Sequence, residues 1–200
     1  MNRHIWDLSF VVLAASACWQ QSQLPVGDLR PSDAAVYRAV LDSLFIQPGK
    51  NRITQLVIKD STTVWRRENL IGGVIEGFFK LPGVDTSAVR DFEARNRDAV
   101  PLKELSLLGL KTPVTLVADQ ALSSLPRQDP DRYWNQFYQR YPGSSGQIAL
   151  SAVGYGATGN IAILMVSNGC GTLCGSGDMV VLKRTGQVWR IAAIQNLWVS

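Results

Sequence analysis

Apolar residues recur along this chain with two different periods. Tyr37, Val40, Leu41 and Leu44 fall at i, i+3, i+4 and i+7, which puts them on one face of a helix. Pro31-Ser32-Asp33 gives a start signal, with Ser32 or Asp33 placed to accept orphan amide hydrogens. Pro48-Gly49-Lys50-Asn51 gives a stop, so the spacing predicts a helix from Ser32 to Phe45. Ile53 to Lys59 is rich in β-branched residues and reads as a strand, and Val114 to Val117 as another. Asp85 or Thr86 caps a predicted helix from Ser87 to about Asn96, with Val89 and Phe92 inward. Asp129-Pro130, an N-cap followed by a first-turn proline, opens a third helix reaching Tyr141. Trp134, Phe137, Tyr138 and Tyr141 stripe one side of it, and the reading preferred for that stripe is core rather than a sugar or lipid platform. Asn69 to Phe79, with Gly72, Gly73 and Gly77, fits neither helix nor strand.

Beyond Gly146 the pattern becomes that of strands. Four apolar, β-rich runs, 147–155, 160–167, 179–184 and 187–199, alternate with short turns at Ala157-Thr158-Gly159 and Thr185-Gly186. Such short connections predict an antiparallel meander of about four strands. Helices first and sheet last, without regular alternation, mean an α+β fold. The alternative arrangement is an NTF2-like or cystatin-like curved sheet around the N-terminal helix.

The first residues change the picture of where the chain resides. Arg3 gives a basic start, Leu8 to Ala15 a short apolar stretch, and Ala15-Ser16-Ala17 an A-x-A cleavage site, the layout of a secretory signal peptide. Ala15-Ser16-Ala17-Cys18 resembles the lipobox of bacterial lipoproteins, with Ala15 where that pattern has a large aliphatic residue. The resemblance implies acylation of Cys18, with the polar, aperiodic stretch from Trp19 to Pro25 as tether. The other reading is a soluble secreted protein with an unmodified Cys18. The expected organisation is a signal over 1–17, a tether over 18–30 and one α+β domain over 31–200, exported to the periplasm or cell surface.

Composition then excludes chemistry. The chain has 200 residues, 46% of them hydrophobic, which rules out disorder throughout. No apolar run reaches the length of a spanning helix. The only histidine is His4, inside the signal, so a processed chain has no imidazole for Ser-His-Asp or Cys-His catalysis and no multi-histidine zinc site. No metal and no cofactor is expected. The formal charge of +4 is spread over short pairs such as Arg66-Arg67 and Lys183-Arg184, which suits anionic envelope lipids or glycans and not a nucleic acid.

The segment from Asn168 to Gly177 holds Cys170 and Cys174 among four glycines. In an exported protein this pair most simply forms a disulfide, with Gly169, Gly171, Gly175 and Gly177 giving the backbone freedom to turn. Three other readings compete with the disulfide. The C-x-x-x-C pair resembles the copper-chaperone pattern of cytochrome oxidase assembly proteins, which adds a distal histidine absent here. A redox dithiol would need C-x-x-C on a helix N-terminus, and an anion-binding nest would use the glycine amides. Ser176 and Ser144 lie outside a G-x-S-x-G elbow. A Ser-Lys dyad through Lys183, or a carboxylate pair drawn from Asp60, Glu68, Glu76 and Asp178, would serve a histidine-independent hydrolase. Gly175, Ser176 and Asp178 are the candidate ligand-binding residues.

Cys170-Gly171-x-Leu173-Cys174-Gly175-x-Gly177, with Val181-Leu182, Gly186, Trp189 and Trp198-Val199-Ser200, resembles the C-terminal part of uncharacterised bacterial exported proteins. Trp134 to Gly146 and Ser151 fit the same resemblance, which covers about the last third of the chain. It implies export and assigns no activity. The expectation is therefore an envelope lipoprotein, a non-enzymatic binding or structural module for an envelope partner or ligand, with the hydrolase as alternative.

Overall fold

The computed structural model describes residues 29–46, 53–64, 80, 84–103, 109–110 and 112–200. Helix α1 (Asp33–Leu44) buries Val36, Tyr37, Val40 and Leu41, the face set by its periodicity. Its cap differs from expectation: Ser32 makes no side-chain capping bond, and the Asp33 carboxylate is used elsewhere. Helix α2 (Thr86–Arg95) starts at Asp85, whose side chain accepts from the Ala88 amide. That bond and the one from the Ser87 hydroxyl hold the Asp85 pKa below its ordinary value, the hydroxyl having the larger effect. Helix α3 (Asp119–Ser123) is a single short turn that the sequence pattern does not announce. Helix α4 (Pro130–Arg140) has the expected Asp129 cap, accepting from the Arg132 amide, with proline at its start.

The strands are β1 (Gln55–Lys59), β2 (Val114–Val117), β3 (Ser144–Leu150), β4 (Gly154–Tyr155), β5 (Ile161–Gly171), β6 (Cys174–Thr185) and β7 (Val188–Val199). All seven join one open, curved sheet of order β2-β1-β3-β5-β6-β7, with β4 beside β5. The fold is α+β, as the pattern predicts. The β3-β5-β6-β7 run is antiparallel, but the sheet exceeds four strands because β1 pairs in parallel with both β2 and β3.

Helices cover both faces, and strand alternation sorts the two cores. Ala162, Leu164 and Val166 of β5, with Val180 and Leu182 of β6, pack against α1. The intervening Ile161 and Ile163, with Met179 and Val181, pack with Ala88 and Phe92 of α2. Val57 of β1 lies among Phe137 of α4, Tyr141 just after it and Leu122 of α3. Strand β7 carries an extra residue at Ala192 and another at Leu197, where its register against β6 shifts. Trp189 and Ile191 pack in the α1 core, whereas Ala193 and Leu197 pack in the α2 core.

The run expected as one strand over 147–155 breaks at Ser151–Val153 because helix side chains take over its backbone. Asn96 accepts from the Ala152 amide and donates to the Ala152 carbonyl, and Arg95 donates to the Val153 carbonyl. Arg95 also forms a buried ion pair with Asp33, at 2.9 Å, and the same carboxylate accepts from the Tyr155 hydroxyl. Burial by itself would lower the Arg95 pKa, but the Asp33 hydrogen bond and charge more than offset this, so it is raised. At the rim of this network Arg30 pairs with Asp91 through both terminal guanidinium nitrogens.

Candidate functional site

A cleft of about 380 Å³ opens where the end of β1 meets α3 and α4. Lys59 closes β1 and reaches across to Asp119 at the start of α3, 2.9 Å away. Because Val57 fills the core beneath α4, strand alternation sends Lys59 to the same side. The N-terminal half of α4 supplies Pro130, Tyr133 and Trp134, the loop before it Arg127, and β3 Gln147. Tyr133 and Trp134 meet edge to face, 5.2 Å between centroids. The Tyr133 hydroxyl donates to Gln147 Oε1 at 3.2 Å, and burial raises its pKa while the Arg127 charge opposes the rise. Arg127 is exposed and makes no ion pair among the described residues.

The cysteine segment secures one wall of this cleft. Cys170 and Cys174 are joined by a disulfide, their Cα atoms 5.0 Å apart, across the β5–β6 turn. Tyr138 donates to the Cys170 carbonyl at 2.8 Å, and Thr172 donates to Asp131 at 2.6 Å, so two bonds hold the hairpin tip to α4. Trp134 lies over Gly169, where an added Cβ would sit 3.3 Å from the indole. On the neighbouring strand Trp198 covers Gly177, where a Cβ would collide with the indole nitrogen. None of Gly169, Gly171, Gly175 and Gly177 has a positive φ. Their expected role in bending the turn is corrected: Gly169, Gly175 and Gly177 make room for tryptophans.

The described candidate catalytic and ligand-binding residues from the sequence fall outside the cleft. Ser176 pairs with Asn168 across β5, and Asp178 accepts from Asn196 of β7 at 2.8 Å. Lys183 is exposed seven positions beyond Ser176 on β6, about 23 Å at the rise of an extended strand. The Ser-Lys pairing is thereby excluded at these positions. Gly175 lies under Trp198 and exchanges backbone bonds with Ser200. Asp60 follows β1. Glu68, Glu76, Asn69 to Phe79 and Cys18 lie outside the described residues. Of the aromatic stripe, Phe137 and Tyr141 are core as expected, while Trp134 lines the cleft. Lys59, Asp119 and Gln147 carry no local motif; their meeting depends on strand pairing that spacing alone does not encode.

No group of metal-ligating side chains is present among the described residues, nor any helix long and apolar enough to cross a membrane. No family model, curated protein or solved structure matches the chain.

Proposed function

We propose that this chain is an exported binding module, tethered to the envelope through an acylated Cys18, that holds a small ligand in the cleft between α3, α4 and the end of β1. One observation carries the reading. Uncommitted polar groups of Arg127 and Gln147 converge on two aromatic rings, and the disulfide-closed hairpin holds the helix that carries those rings. A concave site with a few convergent polar groups on an aromatic lining is the usual form of a small-molecule site. A preset wall favours binding because little side-chain freedom is lost when the ligand arrives. The hydrolase alternative has less support, since Ser176, Asp178 and Lys183 are strung along β6.

Amide shift mapping of the isotope-labelled full-length protein with a mixed set of small polar and aromatic fragments tests this. Shifts should concentrate on the Gln147 side chain, the Trp134 indole and Lys59. Saturable shifts confined to another part of the surface would remove the cleft from consideration.

A further inference from the structure

We infer that the ligand of this cleft carries a carboxylate on a six-membered ring. The inference rests on the cleft being the binding site and follows from which of its groups are already spoken for. Asp119, the one acidic residue among the described residues of the lining, is paired with Lys59 at 2.9 Å. The Tyr133 proton is given to Gln147 Oε1, which leaves the Gln147 Nε2 hydrogens and the whole Arg127 guanidinium. Both are donors, and the uncompensated charge is positive. A ligand that complements them brings acceptors and a negative charge. A carboxylate matches the planar fork of a guanidinium with two parallel hydrogen bonds, which a halide or an alcohol does not.

The rest of the lining asks for a ring. Tyr133 and Trp134 stand at 83° to one another, so the pair presents one ring's face beside the other's edge. That geometry suits a ring with an apolar face, such as the C–H face of a pyranose or the face of a benzene ring. The volume of about 380 Å³ is near the lower end of the range for small-molecule sites, about 300–1,000 Å³. It accommodates one or two rings and not a folded partner. A uronic-acid saccharide and an aromatic acid share this chemistry.

Four probes separate the contributions: D-glucuronate, benzoate, D-glucose and acetate, each titrated into the full-length protein while the Gln147 and Trp134 resonances are followed. Arg127→Gln removes the charge, and Arg132→Gln removes an exposed arginine outside the cleft. Glucuronate or benzoate, or both, should bind saturably. Arg127→Gln should weaken that binding about tenfold or more, the loss typical of a charge-assisted pair, and Arg132→Gln should leave it unchanged. Glucuronate alone would identify a saccharide, and benzoate alone an aromatic acid. Glucose binding as well as glucuronate, acetate as well as either ring, or equal effects of the two substitutions would overturn the inference while leaving the cleft a binding site. If neither ring carboxylate binds, the inference falls, and the fragment map then decides whether the cleft falls with it.

Discussion

Asp33→Asn isolates the energetic importance of the contact between α1 and α2. The Asp33 carboxylate is fully buried and accepts from the Arg30 amide, both terminal nitrogens of Arg95 and the Tyr155 hydroxyl. Asparagine keeps the shape but removes the charge, turns one acceptor into a donor and leaves the Arg95 guanidinium, 5% exposed, without its counter-charge. Removing one partner of a buried pair costs about 3–5 kcal/mol. For a chain of this size each kcal/mol moves the melting temperature by roughly 2–4 °C, so the melting point should fall by about 6–20 °C. Urea unfolding followed by far-ultraviolet dichroism gives the free energy directly, with an unchanged slope showing that only stability moved. The double variant Asp33→Leu/Arg95→Met removes both charges. It should be less destabilised than the sum of its singles by about 2 kcal/mol or more, because no lone charge remains buried. A loss below about 1 kcal/mol for Asp33→Asn, or strict additivity in the double, would refute the reasoning.

Three more outcomes follow from the structure. Burial raises the pKa of Tyr37 and Tyr155, with the Asp33 charge adding to it. Each stays neutral in the fold after its unfolded counterpart ionises near pH 10, so their stabilisation is full below about pH 10 and is lost as pH climbs toward the folded values; an unfolding midpoint that stays level between about pH 9 and 11.5 would contradict this. Replacing Cys170 and Cys174 with serine opens a five-residue loop and should cost about 2 kcal/mol by the chain-entropy estimate, with the α1 core intact and the Trp134 indole resonance broadened. Global unfolding of that variant would refute a local role for the bridge. Mass spectrometry of the mature N-terminal peptide should find a diacylglyceryl group on Cys18, and a free thiol there would make the protein untethered.

Much of the helical layout is legible in the sequence because local chemistry sets it. Asp85 and Asp129 cap the helices they precede, and Tyr37, Val40 and Leu41 are fully buried on the side their spacing assigns. The disulfide is equally local, joining cysteines four positions apart. Parallel pairing of β1 with β2 and β3 is not legible, since it joins Val57 to Thr115 and Gln147 and nothing in those strands names its partners. The cleft inherits that limit. Trp134 is visible as part of a stripe, but Lys59, Asp119 and Gln147 become neighbours only through those pairings. The glycines between Gly169 and Gly177 show a further limit: composition reveals the missing side chains, and only the positions of Trp134 and Trp198 reveal what occupies the space.

The extra residue at Ala192 works as a phase switch. Ahead of it, Trp189 and Ile191 face the layer of α1; behind it, Ala193 and Leu197 face the layer of α2. An uninterrupted strand alternates strictly and could not send Ile191 and Ala193 to opposite layers. One residue therefore lets the last strand seal two cores in succession. Ala192 has a small side chain and lies exposed, so ordinary substitutions there should be tolerated, whereas its deletion would invert every later contact of the strand. What matters at this position is the residue count rather than the side chain.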